Sequence, residues 1–290
     1  MPKTDMNVQM KSNNNMKRIL FLCLAALSLV GMDAFAQYQT VRAFSHRGGR
    51  LENDENTLSA FQKSYEIGYT GFETDIRMTK DGVLIITHDQ TLERTTNGTG
   101  IVEEKTWEEI HSYDTKGGHK ILTLDELMDF LKDKKGLYVE FELKTKPENL
   151  YPQERLEAYC DKLYERVMRD KPADAEFVFT SSDYRGLRYL MSKHPECNYL
   201  MISSKPVCDE TISMAKALGI HRIGCKMPGT SKAMVEKAKK EGLIVSLWPT
   251  EKIEHFILGI YLGADFLCTD IPQECMTTIR EHFPWCNVIY

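Results

Sequence analysis

Gly71-Phe72-Glu73-Thr74-Asp75-Ile76-Arg77 and Val83-Leu84-Ile85-Ile86-Thr87-His88-Asp89 are two apolar-rich runs with only Met78-Thr79-Lys80-Asp81-Gly82 between them. That gap is too short for a parallel crossover, so the runs predict an antiparallel hairpin. With Asp81-Gly82 as a two-residue turn, Asp75 faces His88; with Lys80-Asp81, Glu73 faces it. Side chains alternate with period two along a strand, so both registers put Glu73, Asp75 and His88 on one face. A three-residue loop would turn His88 to the other face and break that grouping.

Outward from this hairpin the chain alternates. Upstream lie a strand at Ala43–Ser45 and a helix from Thr57 to Ile67. Downstream, strands are expected at Leu137–Leu143, Phe177–Thr180, Tyr199–Ile202, His221–Gly224, Leu243–Leu247 and Phe266–Cys268. Helices are expected between them at Pro152–Arg169, Tyr184–Ser192, Asp209–Leu218, Lys232–Lys240 and Ile253–Leu262, several with apolar residues three or four apart. Strand–helix alternation means a mainly parallel sheet. Eight such strands close most simply as an α/β, (β/α)8 TIM barrel, with the hairpin and a small insertion, about residues 89–120, after the second barrel strand. A doubly wound open sheet is the alternative that periodicity leaves open. The insertion, with Asn97-Gly98-Thr99-Gly100 and Gly117-Gly118, reads either as a surface excursion or as a loop shaping substrate access.

Lys17 and Arg18 precede an apolar run from Ile19 to Val30, and Ala34-Phe35-Ala36 supplies a small-x-small cleavage site. Residues 1–36 are therefore expected to be a removed signal peptide, with Met16 as an alternative start. The mature domain is then 37–290, exported to the periplasm or the extracellular space, with no stable membrane insertion after cleavage. Its length suits one barrel of roughly 250 residues. A net charge of -5, without a basic block, argues against nucleic acid as a partner. Of eight cysteines, the seven that remain after cleavage, at 160, 197, 208, 225, 268, 275 and 286, lack metal-type spacing and are expected to be mostly buried apolar residues. Cys197 and Cys208 flank one strand and are the pair weighed for a bridge. Oligomeric state is not encoded legibly.

The polar residues inside apolar strands carry the chemistry. Glu73 and Asp75, two apart, project the same way, and Glu142 ends another strand in Val139-Glu140-Phe141-Glu142-Leu143-Lys144. Three hard oxygen ligands suit one divalent cation, Ca2+ or Mg2+, better than zinc. His46, in Phe44-Ser45-His46-Arg47-Gly48, and His88 are the candidate acid–base pair. Arg47 and Lys144 are expected to neutralise phosphate oxygens, or to serve as counter-ions for the carboxylates. Glu55 either ligates the cation or orients Arg47, while Asn56 and Thr57 are expected to cap the following helix. Trp248, ending a late strand, offers an apolar wall for substrate or belongs to the core. The other histidines, 111, 119, 194, 221, 255 and 282, are read as structural or surface residues. Metal, proton carriers and cations together point to hydrolysis of a phosphate ester.

In this order the segments resemble the glycerophosphodiester phosphodiesterase family. The matching blocks are His46-Arg47-Gly48 with Glu55-Asn56-Thr57, Glu73-Thr74-Asp75 with Thr79-Lys80-Asp81-Gly82 and His88-Asp89, Glu142-Leu143-Lys144, and finally Trp248 with Thr269-Asp270-Ile271-Pro272. The resemblance implies hydrolysis of a small-molecule glycerophosphodiester to glycerol 3-phosphate and an alcohol. It also implies that the two histidines carry protons and that the substrate's own glycerol hydroxyl attacks, giving a cyclic phosphate before water completes the reaction. Two alternatives are kept: a phospholipase-type head-group hydrolase acting on membrane lipid, and a non-catalytic barrel that binds phosphoryl ligands. Asp54 stands where the family usually has proline, and Pro249-Thr250 replaces its usual Thr-Val-Asn; both bear on substrate preference.

Overall fold

In the computed structural model, which describes residues 40–290, the runs of β-branched and aromatic residues form ten strands. They are β1 (Val41–His46), β2 (Gly71–Met78), β3 (Leu84–Ile86), β4 (Tyr138–Leu143), β5 (Glu176–Ser181), β6 (Asn198–Pro206), β7 (Arg222–Lys226), β8 (Ile244–Thr250), β9 (Phe266–Thr269) and β10 (Val288–Ile289). All but β3 and β10 form the barrel. β1 pairs in parallel with both β2 and β9, which closes the sheet and removes the open-sheet alternative. The protein is a (β/α)8 barrel. The expected signal segment lies outside the described residues.

Helices α1 (Leu58–Glu66), α4 (Gln153–Arg169), α5 (Tyr184–Lys193), α6 (Asp209–Leu218), α7 (Lys232–Lys240), α8 (Ile253–Leu262) and α9 (Pro272–His282) return the chain between strands. Between β2 and β4 lie β3, a short 3-10 turn at Val102–Glu104, α2 (Trp107–His111) and α3 (Leu124–Leu131). Local chemistry sets the boundaries. Thr57 caps α1 by accepting from the Ala60 N–H. Thr106 and Thr123 form capping boxes with Glu109 and Glu126.

Inside the barrel, alternate residues stack in layers. Phe44, Tyr138, Val178, Leu200 and Cys268 make an apolar floor, with the Tyr138 and Phe266 rings stacked at 4.5 Å. An Arg222–Glu176 pair lies beside Phe266, the Arg222 guanidinium standing over its ring. Polar side chains occupy the layers above, at the C-terminal strand ends where barrel sites are built.

Two expectations need correction. The hairpin has the three-residue loop Lys80-Asp81-Gly82, because Ile76 pairs with Ile86, Met78 with Leu84, and the Thr79 N–H bonds to the Val83 carbonyl. Strand parity alone would therefore send His88 to the wrong face. It reaches the site because β3 stops at Ile86, and the Arg77 guanidinium donates twice to the His88 carbonyl, at 3.0 and 2.9 Å. The Cys197–Cys208 bridge does not form; all seven cysteines of the described residues are free, and Cys160, Cys225, Cys268 and Cys275 are buried.

Candidate active site

The site begins where β1 runs out. After His46 the backbone turns through left-handed conformations at Arg47 (φ 54°), Gly48 (φ 76°) and Gly49 (φ 86°). Gly48 is needed for space as well, since a Cβ there would lie 2.6 Å from the Ala60 Cβ. This turn points the Arg47 side chain inward, its Nη1 3.1 Å from Glu55 and its Nε 3.0 Å from Asp75. Asn56, also left-handed (φ 58°), donates to Asp75 at 2.9 Å. Only Thr57 caps α1; Asn56 orients an acid instead.

The β2–β4 register sets Glu73 opposite Glu140 and Asp75 opposite Glu142, so four carboxylates share the barrel interior. Oxygens of Glu73, Asp75 and Glu142 lie within 4.8 Å of one another. Burial pushes the Glu73 carboxyl well above its ordinary range, and the neighbouring charges of Asp75 and Glu142 add to this. Burial would do the same to Asp75, but Arg47 and then Lys144 hold it well below. Lys144 lies 2.9 Å from Glu142 and 3.3 Å from Asp75. Glu73 Oε1 and Asp75 Oδ1 are buried without a hydrogen-bond partner. Two orphaned carboxylate oxygens beside a third acid are a donor set that fits a hard divalent cation. Three carboxylates against Arg47 and Lys144 leave a formal charge of −1. A divalent cation would reverse its sign, as binding of a phosphodiester anion requires.

Each histidine is held by one ring nitrogen. His46 Nδ1 lies 2.5 Å from Asp270 Oδ1, and its Nε2 lies 3.7 Å from Glu73 Oε2. Asp270 is fully buried yet its pKa is lowered, because His46 and Arg50 outweigh the burial. An ionised Asp270 accepts from Nδ1–H and leaves Nε2 for chemistry. His88 repeats the pattern with its Nδ1 2.6 Å from Asp89. Arg94 and His88 hold the Asp89 carboxyl at about 2 against its burial. Burial, with Lys144 and Arg47, pushes His88 below its ordinary pKa although Asp75 pulls it up. Arg94 also makes a two-pronged contact with Glu55 at 2.7 and 2.8 Å, so Glu55 serves two arginines.

His46, Arg47, Glu73, His88, Glu142, Lys144 and Trp248 all line one cavity of about 570 Å³. Glu55 stands behind Arg47, outside this lining. Sequence reasoning missed three residues. Glu140 carries the signal of period two with Glu142; burial raises its carboxyl to about 7, and the Tyr138 hydroxyl donates to it at 2.6 Å. Asp270 and Arg94 have no local signal, since their partners come from distant segments. Asp54 accepts from Thr115 and from His119 Nδ1, which ties the β1–α1 loop to the insertion.

Comparison with known proteins agrees with this geometry. A model of the "Glycerophosphoryl diester phosphodiesterase family" matches residues 46–274. A glycerophosphodiester phosphodiesterase of Caldanaerobacter subterraneus is 30% identical over 82% of this chain and 97% of its own length. One from Bacillus altitudinis is 28% identical over 83% and 98% respectively. In fold, the chain is similar to an Oleispira antarctica phosphodiesterase solved in complex with the product sn-glycerol-3-phosphate, with a TM-score of 0.75 and 22% identity over 84% of this chain and 100% of that one. A Parabacteroides distasonis glycerophosphodiester phosphodiesterase gives 0.69 and 21%, over 84% and 98%.

Proposed function

The chain belongs to the glycerophosphoryl diester phosphodiesterase family and hydrolyses glycerophosphodiesters; from that premise we propose that it does so with His46 and His88 as acid and base and with one divalent cation, Ca2+ or Mg2+. The products are glycerol 3-phosphate and an alcohol. Glu73, Asp75 and Glu142 would hold the cation, which supplies charge to a phosphate oxygen when bound. Arg47 and Lys144 bind the remaining phosphate oxygens while staying paired to Asp75 and Glu142. One histidine takes at its Nε2 the proton of the attacking glycerol hydroxyl and the other, protonated, gives a proton from its Nε2 to the leaving alkoxide; water then opens the cyclic phosphate with the two roles exchanged. Asp270 and Asp89 keep both rings in the Nδ1–H tautomer and stabilise the imidazolium forms.

The observation that carries this reading is the β2–β4 register, which stacks the carboxylates in the cavity that both histidines line. Assay of the purified protein on glycerophosphocholine, with and without EDTA and with each cation restored, tests it. Hydrolysis that survives EDTA in protein shown to be metal-free would overturn the cation's part. Intact lipid vesicles should remain uncut. Among the described residues no helix is long and apolar enough to cross a membrane. From Lys17 to Ala36 we further propose an export signal; sequencing of the mature N-terminus should begin near Gln37, and an intact Met1 or Met16 would refute it.

A further inference from the structure

The cavity is larger than its catalytic cluster. Beyond His46, His88 and the acids it extends over the ends of β4 to β8, where Lys146, Ser182, Tyr184, Ser203, Lys205 and Trp248 line it. A phosphodiester seated at Arg47 and Lys144 must send one of its two alcohols into this outer part. We infer that the outer part is the subsite of the leaving alcohol and that it takes an alcohol bearing negative charge, such as a further phosphate, rather than a cationic one such as choline. This deepens the proposed function and rests on it.

Charge decides the matter. Gly224 lines the cavity, and Lys226, two residues on, shares its strand face and pairs in register with Trp248. The Lys226 ammonium stands over the Trp248 ring, 5.7 Å from its centre. Neither Lys226 nor Lys146 has a carboxylate at ion-pair distance among the described residues, so both charges are unspent. Of the four acids in the lining, Glu73 lies 3.7 Å from His46 and Glu140 accepts from the Tyr138 hydroxyl, both on the catalytic side. Glu210 is taken by Lys205, and Glu142 lies against Lys144.

Recognition of a quaternary ammonium uses open aromatic faces. Here one face of Trp248 carries an ammonium, which would repel a second cation. The side chain also packs against the floor formed by Phe44, Tyr138, Val178, Leu200 and Cys268. Tyr184, its hydroxyl donated to the Ile202 carbonyl, is left as a single ring and not a cage. The Lys146 ammonium in the lining and the Lys226 ammonium over the Trp248 ring, with the serine hydroxyls of 182, 203 and 204 as added donors, are instead the chemistry that binds phosphate oxygens.

Three substrates that differ only in the leaving alcohol test this: glycerophosphocholine, glycerophosphoglycerol, and glycerophosphoglycerol phosphorylated on its leaving glycerol. At low salt kcat/KM should rank the phosphorylated substrate first and choline last, about tenfold apart, since each partly exposed ion pair is worth up to roughly fivefold. Raising salt from about 0.02 to about 0.5 M should compress the ratio, because exposed charges are screened. K146A/K226A should bring the ratio within about twofold. Choline equal to or above the phosphorylated substrate, or a ratio unmoved by K146A/K226A, would overturn the inference and leave the proposed function standing. Turnover of none of the three would overturn both.

Discussion

Asp270 decides which ring nitrogen of His46 is left free. Its carboxylate sits 2.5 Å from Nδ1, is fully buried, and is held ionised by His46 and Arg50. Asp270→Asn replaces the acceptor with a group that can also donate, so the wrong tautomer becomes available. We expect kcat to fall by about a hundredfold or more with KM little changed, and His46→Ala and His88→Ala to do the same. Steady-state kinetics on glycerophosphocholine, with circular dichroism to verify folding, checks each variant; undiminished kcat would remove that residue from proton transfer. The carboxylate trio and both histidines of the cavity were legible from Glu73, Asp75, Glu142, His46 and His88 as polar residues inside apolar runs. Asp270 stands in the sequence only as part of Thr269-Asp270-Ile271-Pro272. Nothing local links it to His46, 224 positions away; the β1–β9 pairing that closes the barrel brings them together.

At the scale of elements, the β2–β3 hairpin and the insertion after it position the second histidine. Arg77 holds the His88 carbonyl and pairs with buried Glu103 at 2.7 Å. Arg77→Met leaves Glu103 buried and without its cation, so it should cost about 3–5 kcal/mol of stability. It should also depress kcat as His88 loses its anchor. Denaturant titration measures the first and turnover the second. Asp89 provides a pH test. Its carboxyl is held at about 2, so the link to His88 and Arg94 adds stability above the ordinary carboxylate range and is lost as pH falls through about 2. Arg94→Ala should move the Asp89 titration, followed by NMR, up toward the usual value near 4; an unmoved titration would refute the pairing. The hairpin's existence was legible from its short gap, but its register was not. A turn one residue longer reverses parity, and only the early end of β3 and the Arg77 contact restore His88 to the cavity. The core beneath the insertion, formed by Ile85, Leu92, Val102, Ile110 and Ile121, was also hidden because its spacing follows neither strand nor helix.

Residues 40–290 form a barrel whose apolar layers underlie the polar end. Strand–helix alternation made this architecture legible, and β1 pairing with both β2 and β9 supplied the closure that periodicity could not. Phe141, fully buried on β4 against Phe177 and Phe179, packs behind the strand that carries Glu140 and Glu142. Phe141→Ala should cost about 3–5 kcal/mol in unfolding free energy, read from denaturant midpoints. The claim on which the rest depends is that the acids of β2 and β4 gather one divalent cation. Calorimetric titration of EDTA-stripped protein with Ca2+ and with Mg2+ measures it directly. The account predicts one ion per chain for at least one of the two, with binding weakened at least about tenfold in Glu142→Gln. Stripped protein that binds neither ion and still turns over glycerophosphocholine at the full rate would contradict it.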